Sequence, residues 1–402
     1  MNNPQNPNNN IPPNQPYNPQ VNQPQQPNNG YYGYNGTSAN SQQPHYSQNY
    51  NTHYTTTNGD YAYSSAPVLD AKAMQTMKNA GQEKKELKRM GNLCGAAVLL
   101  YILFSYAVSV VISAFGVMDY YYSDSLVSSA VNILLSVFSV GLAFFIIGKK
   151  NKKNSPNYLP HKKMSGKKMA AYVLAGSALC YVANYINSIF VVFMSTMGFQ
   201  LDQREQPLPN DFASSVLYIV SLALMPAIIE EYAIRGVVMQ PLKKYSLRFA
   251  IVATAIVFGI MHGTLVQVPF AMMAGIALAW ITIKTENIIP AMLVHFMNNG
   301  RSAVMDIIEA QFGQNASTAF FFIFTAVIVI LGAVSLFYIY KDEKNDENAV
   351  HIITRGKQNG MLSPYEMTDA KRYKAFLLTP TMIIAFVIML VQTATTVTYV
   401  GR

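Results

Sequence analysis

From residue 92 onward the chain is a succession of apolar runs, most of about 20 residues, parted by short polar stretches. A helix of about 20 apolar residues crosses the roughly 30 Å hydrocarbon core of a bilayer. Lipid offers the backbone no hydrogen-bond partners, so such runs must be helical unless they close into a barrel. The expected fold is therefore all-α, a polytopic transmembrane bundle of about eight or nine spans. The runs lie at about 92–117, 125–148, 169–195, 213–239, 249–262, 266–283, 288–308 and 318–340. A last run, about 376–400, reads as a ninth transmembrane helix or a membrane-associated tail. The run at 249–262 is short, so its helix begins earlier or ends in a re-entrant turn.

Residues 1–68 are of another kind: Asn, Gln, Pro, Gly, Tyr and Ser, with no Lys or Arg before Lys72. Such a segment buries too little apolar surface to offset its chain entropy, and disorder is expected. Tyrosines at positions such as 31, 32, 34, 46 and 50 give it a prion-like composition; an inert tether is the simpler reading. The organisation that follows is a tail over 1–68, a basic juxtamembrane segment over 69–91 that reads as a short surface helix, and a membrane core over 92–340. A polar segment over 341–375 and the last run over 376–402 complete it.

The formal net charge of +9 raises the question of a nucleic-acid partner. The basic residues, however, cluster at Lys84–Arg89, Lys149–Lys168, Lys243–Arg248 and Lys341–Lys374, beside the apolar runs. That is the pattern of loops held on the cytoplasmic side. It implies a lipid bilayer, no nucleic acid, and a cytoplasmic N-terminal tail. Cys94 and Cys180 both fall within apolar runs, without disulfide or metal-ligand spacing, and read as small packing residues. Met1 opens a polar Asn- and Pro-rich stretch, so no secretory leader is expected.

Against this background a few polar side chains stand out. They are Glu230, Glu231 and Arg235 in one run, His262 after Phe258 in the next pair, and His295, Asn298 and Asn299 in a third. An ionisable group at mid-bilayer depth costs about 2.5–3.5 kcal/mol on insertion scales and usually faces an interior site. Glu231 and Arg235 are four apart and share a helix face, whereas Glu230 is rotated about 100° away. One carboxylate is thus placed to satisfy Arg235 and the other is free for proton transfer. His295 and Asn299, also four apart, project side by side. Each signal has a plainer reading: glutamates exposed at a cytoplasmic helix end, a satisfied interior histidine, and a His–Asn hydrogen bond between spans. Together, an acid, two imidazoles and an amide are what a water-activating hydrolase needs.

The order Glu-Glu-x-x-x-Arg, Phe-x-x-x-His, His-x-x-x-Asn over residues 212–305 resembles the CPBP family, which groups type II CAAX prenyl endopeptidases with bacteriocin-processing and immunity proteins. The resemblance implies an intramembrane peptidase, all-helical, with a site opening to the cytosol and a membrane-associated peptide or protein as substrate. It implies Glu230 as general base, His262 as its partner on water, His295 and Asn299 as oxyanion donors, and Glu231 and Arg235 in support. It favours no cofactor; were a divalent metal such as zinc required, Glu230, His262, His295 and Asn299 would be its ligands. A zinc-peptidase His-Glu-x-x-His helix is absent from the sequence. The alternative function is a non-catalytic immunity or scaffolding protein on the same fold. A proton-relay transporter is disfavoured, because the polar residues fall in one stretch and no repeat is seen.

Overall fold

The computed structural model describes residues 56–57, 60–61, 71–151, 158–201, 206–344 and 365–401. The chain divides into two units, Met1–Val68 and Leu69–Arg402. In the first, Thr56–Thr57 pairs antiparallel with Asp60–Tyr61; the rest of the tail expected to be disordered lies outside the described residues. So does most of the polar segment expected over 341–375.

The second unit is a helical bundle. Its longer helices are α1 (Ala71–Ala114), α2 (Ser125–Asn151), α3 (Gly166–Thr196) and α4 (Phe212–Leu242), then α5 (Leu247–Met261), α6 (Val268–Thr285), α7 (Ile289–Phe312) and α8 (Gln314–Lys344). Two more, α9 (Asp369–Leu377) and α10 (Pro380–Ala394), meet at a 75° bend. Among the described residues six helices are long and apolar enough to cross a membrane, and α9 with α10 makes a seventh if taken as one span. The other two apolar runs are helical as well. α5 has 15 residues, about 22 Å, and ends at a turn where Gly263 takes a positive φ of 65°. α7 carries His295, Arg301, Asp306 and Glu309 on its 24 residues, which lowers its hydropathy below that of a simple span. The basic stretch 71–91 is no separate surface helix; it continues into the first span as one 44-residue helix.

Local sequence sets the helix boundaries. Asp211 caps α4, accepting from the Ser214 N–H at 2.9 Å, while Ser214 Oγ accepts from the Asp211 N–H. The Ser214 N–H foremost, then the Ser214 hydroxyl and the Ala213 N–H, hold the Asp211 carboxyl below the usual carboxylate range. Ser165 and Ser246 cap α3 and α5 in the same way. Proline stands in the first turn of α6, α7 and α10, where its missing N–H costs nothing.

Two buried clusters hold the bundle. One gathers side chains of α1, α2, α4, α5, α6, α9 and α10; the other joins α3, α6, α7 and α8. Outward faces are apolar and exposed, as at Ile189, Val192, Ile330 and Val334, a surface that hydrocarbon covers and water does not. Glycines let helices approach closely where lipid supplies no hydrophobic drive between them. Gly91 and Gly95 of α1 meet the backbone around Phe376 and Met382, and Gly332 of α8 rests on Ala178 of α3, where a Cβ would come within 2.2 Å of the alanine methyl. Gly332→Val is expected to cost about 1–3 kcal/mol through overpacking, measured by reversible unfolding in detergent. Gly81→Ala, inside α1 with nothing within 4 Å of the new methyl, serves as the control and should lose nothing, gaining up to about 1 kcal/mol of helix propensity.

Candidate functional site

The site begins with a proline. Pro226 lies inside α4, four residues before Glu230, and has no N–H to give the Leu222 carbonyl one turn earlier. The Asn299 side-chain amide of α7 donates to that carbonyl at 3.1 Å. On either side of Met225–Glu231 the helix widens into π-helical turns, Val220–Leu224 and Tyr232–Val238, the kind of bulge that often marks functional sites. In the second, the Arg235 carbonyl is met by the Gln240 side-chain amide at 2.8 Å.

Neighbouring glutamates then face different surroundings. Glu231 is fully buried and pairs with the equally buried Arg235 at 2.9 Å. The same oxygen, Glu231 Oε1, lies 2.9 Å from His295 Nδ1, so the imidazole N–H donates to a carboxylate already holding a guanidinium. Arg235 also donates to the Gly275 carbonyl at 3.3 Å and lies over the Phe258 ring, 4.4 Å from its centroid. Glu231 therefore cannot be a helix-end carboxylate in water. Glu230, about a quarter exposed, lines a cavity of about 280 Å³ together with His262, Asn299, Gln267, Tyr101 and Pro226.

His262 follows the last residue of α5. Its Nδ1 is 2.8 Å from the Phe258 carbonyl, which makes that nitrogen the donor and, in the neutral ring, leaves Nε2 as an acceptor. Phe258 packs edge-on against both imidazoles, 4.8 Å from His262 and 6.0 Å from His295, so it spaces the two rings. His295 Nε2 is 3.9 Å from Glu230 Oε2, beyond direct hydrogen bonding. A smaller space of about 30 Å³ joins His262, His295, Asn298 and Asn299. The structure thus brings Glu230, His262 and Asn299 onto one cavity, with His295 beside it. Asn299 is shared: one amide hydrogen goes to Leu222, and its carbonyl accepts from Asn298 at 3.1 Å.

Three contributors were not legible as site residues in the sequence. Asn184 of α3 donates to Asn298 at 3.1 Å, and its distance along the chain gives no warning. Gln267 and Tyr101 line the cavity from elements without a polar motif. Pro226 went unread as well, although a proline one turn before a membrane glutamate signals a broken ladder.

A divalent metal at this site would fall to Glu230, Asn299 and the Nε2 atoms of His262 and His295, whose Nδ1 atoms are engaged by the Phe258 carbonyl and Glu231. Among the described residues no three His, Cys, Asp or Glu side chains form a metal-ligating group. Glu231 and His295 are bonded to each other, and the Asn299 amide nitrogen to Leu222.

Breaking one half of a buried ion pair leaves the other charge stranded, at about 3–5 kcal/mol. Arg235→Met should therefore destabilise the protein by that order, and Glu231→Gln in the Arg235→Met background should recover part of it. A double-mutant cycle read by unfolding in detergent checks the coupling.

Residues 212–301 match the family model described as Type II CAAX prenyl endopeptidase Rce1-like. No curated protein and no solved structure matches the chain. The matched segment begins at the first residue of α4 and ends two residues beyond Asn299, so it contains every residue of the Glu230–Arg235–His262–His295–Asn299 constellation. Over that segment the chain is similar to the type II CAAX prenyl endopeptidases, which supports its assignment to the CPBP/CAAX-like membrane proteases.

Proposed function

We propose that the protein hydrolyses a peptide bond of a membrane-associated protein or peptide, using water activated by Glu230. The observation that carries this is the division of labour between adjacent carboxylates. Glu231 is committed to Arg235 and His295, whereas Glu230 faces a cavity it shares with His262 and Asn299. General-base catalysis requires such an uncommitted carboxylate beside space for a water molecule and a carbonyl.

The steps balance on these residues. Glu230 takes a proton from water as its oxygen attacks the peptide carbonyl carbon, and His262 Nε2 accepts the second water hydrogen as a hydrogen bond. The negative charge moves to the carbonyl oxygen. There the remaining amide hydrogen of Asn299 and, with a proton on Nε2, His295 are the donors, a role suited to groups held rigidly in a dry site. Collapse of this intermediate breaks the C–N bond, and Glu230 returns its proton to the leaving amine. Glu231 and Arg235 fix the tilt of the His295 ring. We further propose that these steps need no metal, and that the N-terminal tail lies in the cytosol, in keeping with the basic loops. The cavity walls Tyr101, Val140, Leu222 and Ile234 suit an apolar side chain beside the scissile bond.

Peptides released from membranes holding wild-type protein and absent with Glu230→Gln identify the substrate. On that substrate Glu230→Gln and His262→Ala should each lower kcat by about 10²- to 10⁴-fold with folding intact; full activity in either rejects the assignment. With the same substrate, prolonged EDTA or phenanthroline treatment should leave the rate unchanged. A loss that zinc restores would establish the metal-dependent alternative.

A further inference from the structure

The turn between α5 and α6 carries His262 at its start and Gln267 at its end, and both line the cavity. Its backbone leaves the helical ladder at Gly263, so polar groups inside the bundle need partners from elsewhere. Two helices outside the family-matched segment supply them. From α3, the Asn187 amide donates to the Val266 carbonyl at 2.9 Å. From just beyond α10, Thr396 Oγ1 accepts the Leu265 N–H at 3.3 Å while its own hydroxyl donates to the Thr393 carbonyl at 2.7 Å.

α10 also closes over the glycine. Gln392 Nε2 and Met389 Cε each lie 3.1 Å from where a Cβ on Gly263 would sit, and Met389 is fully buried. Past Thr396 the chain returns to the end of α3: Val397–Tyr399 pairs antiparallel with Phe199–Leu201, the Val400 N–H donates to Gly198 at 2.9 Å, and the Phe199 and Tyr399 rings meet at 5.2 Å. The two helices that grip the turn are thus tied to each other.

We propose that Pro380–Tyr399 is a strap of the active site and that Thr396 and Gln392 are positioning residues for the His262 turn. The apolar run that reads in sequence as a ninth span or a membrane-associated tail is on this view part of the catalytic apparatus, though it lies some 80 residues beyond the last matched residue (380 − 301 = 79). The consequence for rate rests on the role proposed for His262; the consequence for the turn does not.

The test uses the full-length protein in detergent, with variants Thr396→Val, Thr396→Ser and Gln392→Ala. Diethyl pyrocarbonate is the probe, and carbethoxylation of His262 is followed by peptide mass spectrometry against exposed His161 as internal reference. Thr396→Val and Gln392→Ala should speed His262 modification several-fold relative to His161, and Thr396→Ser should behave as wild type. On a verified substrate the first two should lower kcat by about ten- to a hundredfold, the range for misplacing a reacting group by about an ångström, with KM unchanged. Unchanged His262 reactivity in both variants, or a loss confined to KM, overturns the proposal. If Thr396→Val does not fold, the half-exposed Gln392 decides the matter alone. If Glu230→Gln proves fully active while His262 reactivity still rises in the strap variants, the catalytic reading falls and the strap stands.

Discussion

Glu231 Oε1 receives both a guanidinium and an imidazole inside a helical bundle, and the site is organised around that oxygen. Moving a carboxylate and a guanidinium out of water costs several kcal/mol per ion, and their attraction offsets this only when geometry and further hydrogen bonds are good. Here Arg235 adds the Gly275 carbonyl and the face of Phe258. Glu231 adds His295. The pair therefore ties α4 to α6, α5 and α7 through three different contacts. It contributes placement more than stability: with Glu231 and Arg235 fixed, the His295 ring has one orientation, and Phe258 has a cation on one face and an imidazole at each edge.

The adjacent glutamate gains its freedom from the same arrangement. In a regular helix successive side chains diverge by about 100°, enough to send Glu230 to another surface of α4. Pro226 and the two π-helical turns decide what that surface is. By breaking the ladder one turn upstream, they leave a carbonyl for Asn299 and room for a cavity beside the carboxylate. A straight α4 would close its own backbone bonds and leave Asn299 without that anchor.

How much of this the sequence discloses follows from the range of the forces involved. Apolar runs report membrane burial residue by residue, so the helical fold was legible throughout. The i,i+4 spacing of Glu231 and Arg235, and the costly polar residues in three neighbouring runs, pointed to one site. What was hidden depends on contacts between distant segments. No local pattern could join Asn184 to Asn298, or Thr396 to Leu265, since each pair is more than 100 residues apart (298 − 184 = 114; 396 − 265 = 131). Hydropathy counts likewise could not separate a crossing helix from α10, whose 15 residues are shaped by the bend at Thr379 and by the strand that follows. The join between the basic stretch and the first span was missed for another reason: charged residues such as Lys84, Lys85 and Glu86 are good helix formers, but loop-like in a hydropathy profile.

The shortness of α5 connects these points. A helix of about 22 Å cannot reach across a 30 Å core, so its last turn ends within the bundle and its terminal carbonyls and the following N–H groups must be met there. Water, side-chain amides and hydroxyls are the means available. The chain uses Asn187, Thr396 and the His262 ring itself, whose Nδ1 returns to the Phe258 carbonyl. The polarity that a broken-off helix demands is also what hydrolysis demands, because a peptide carbonyl cannot be attacked by water in hydrocarbon. A full-length α5 would have sealed its own backbone and left no open turn after His262. Ending it early places an imidazole, an open turn and a carboxylate-lined cavity within one protein interior.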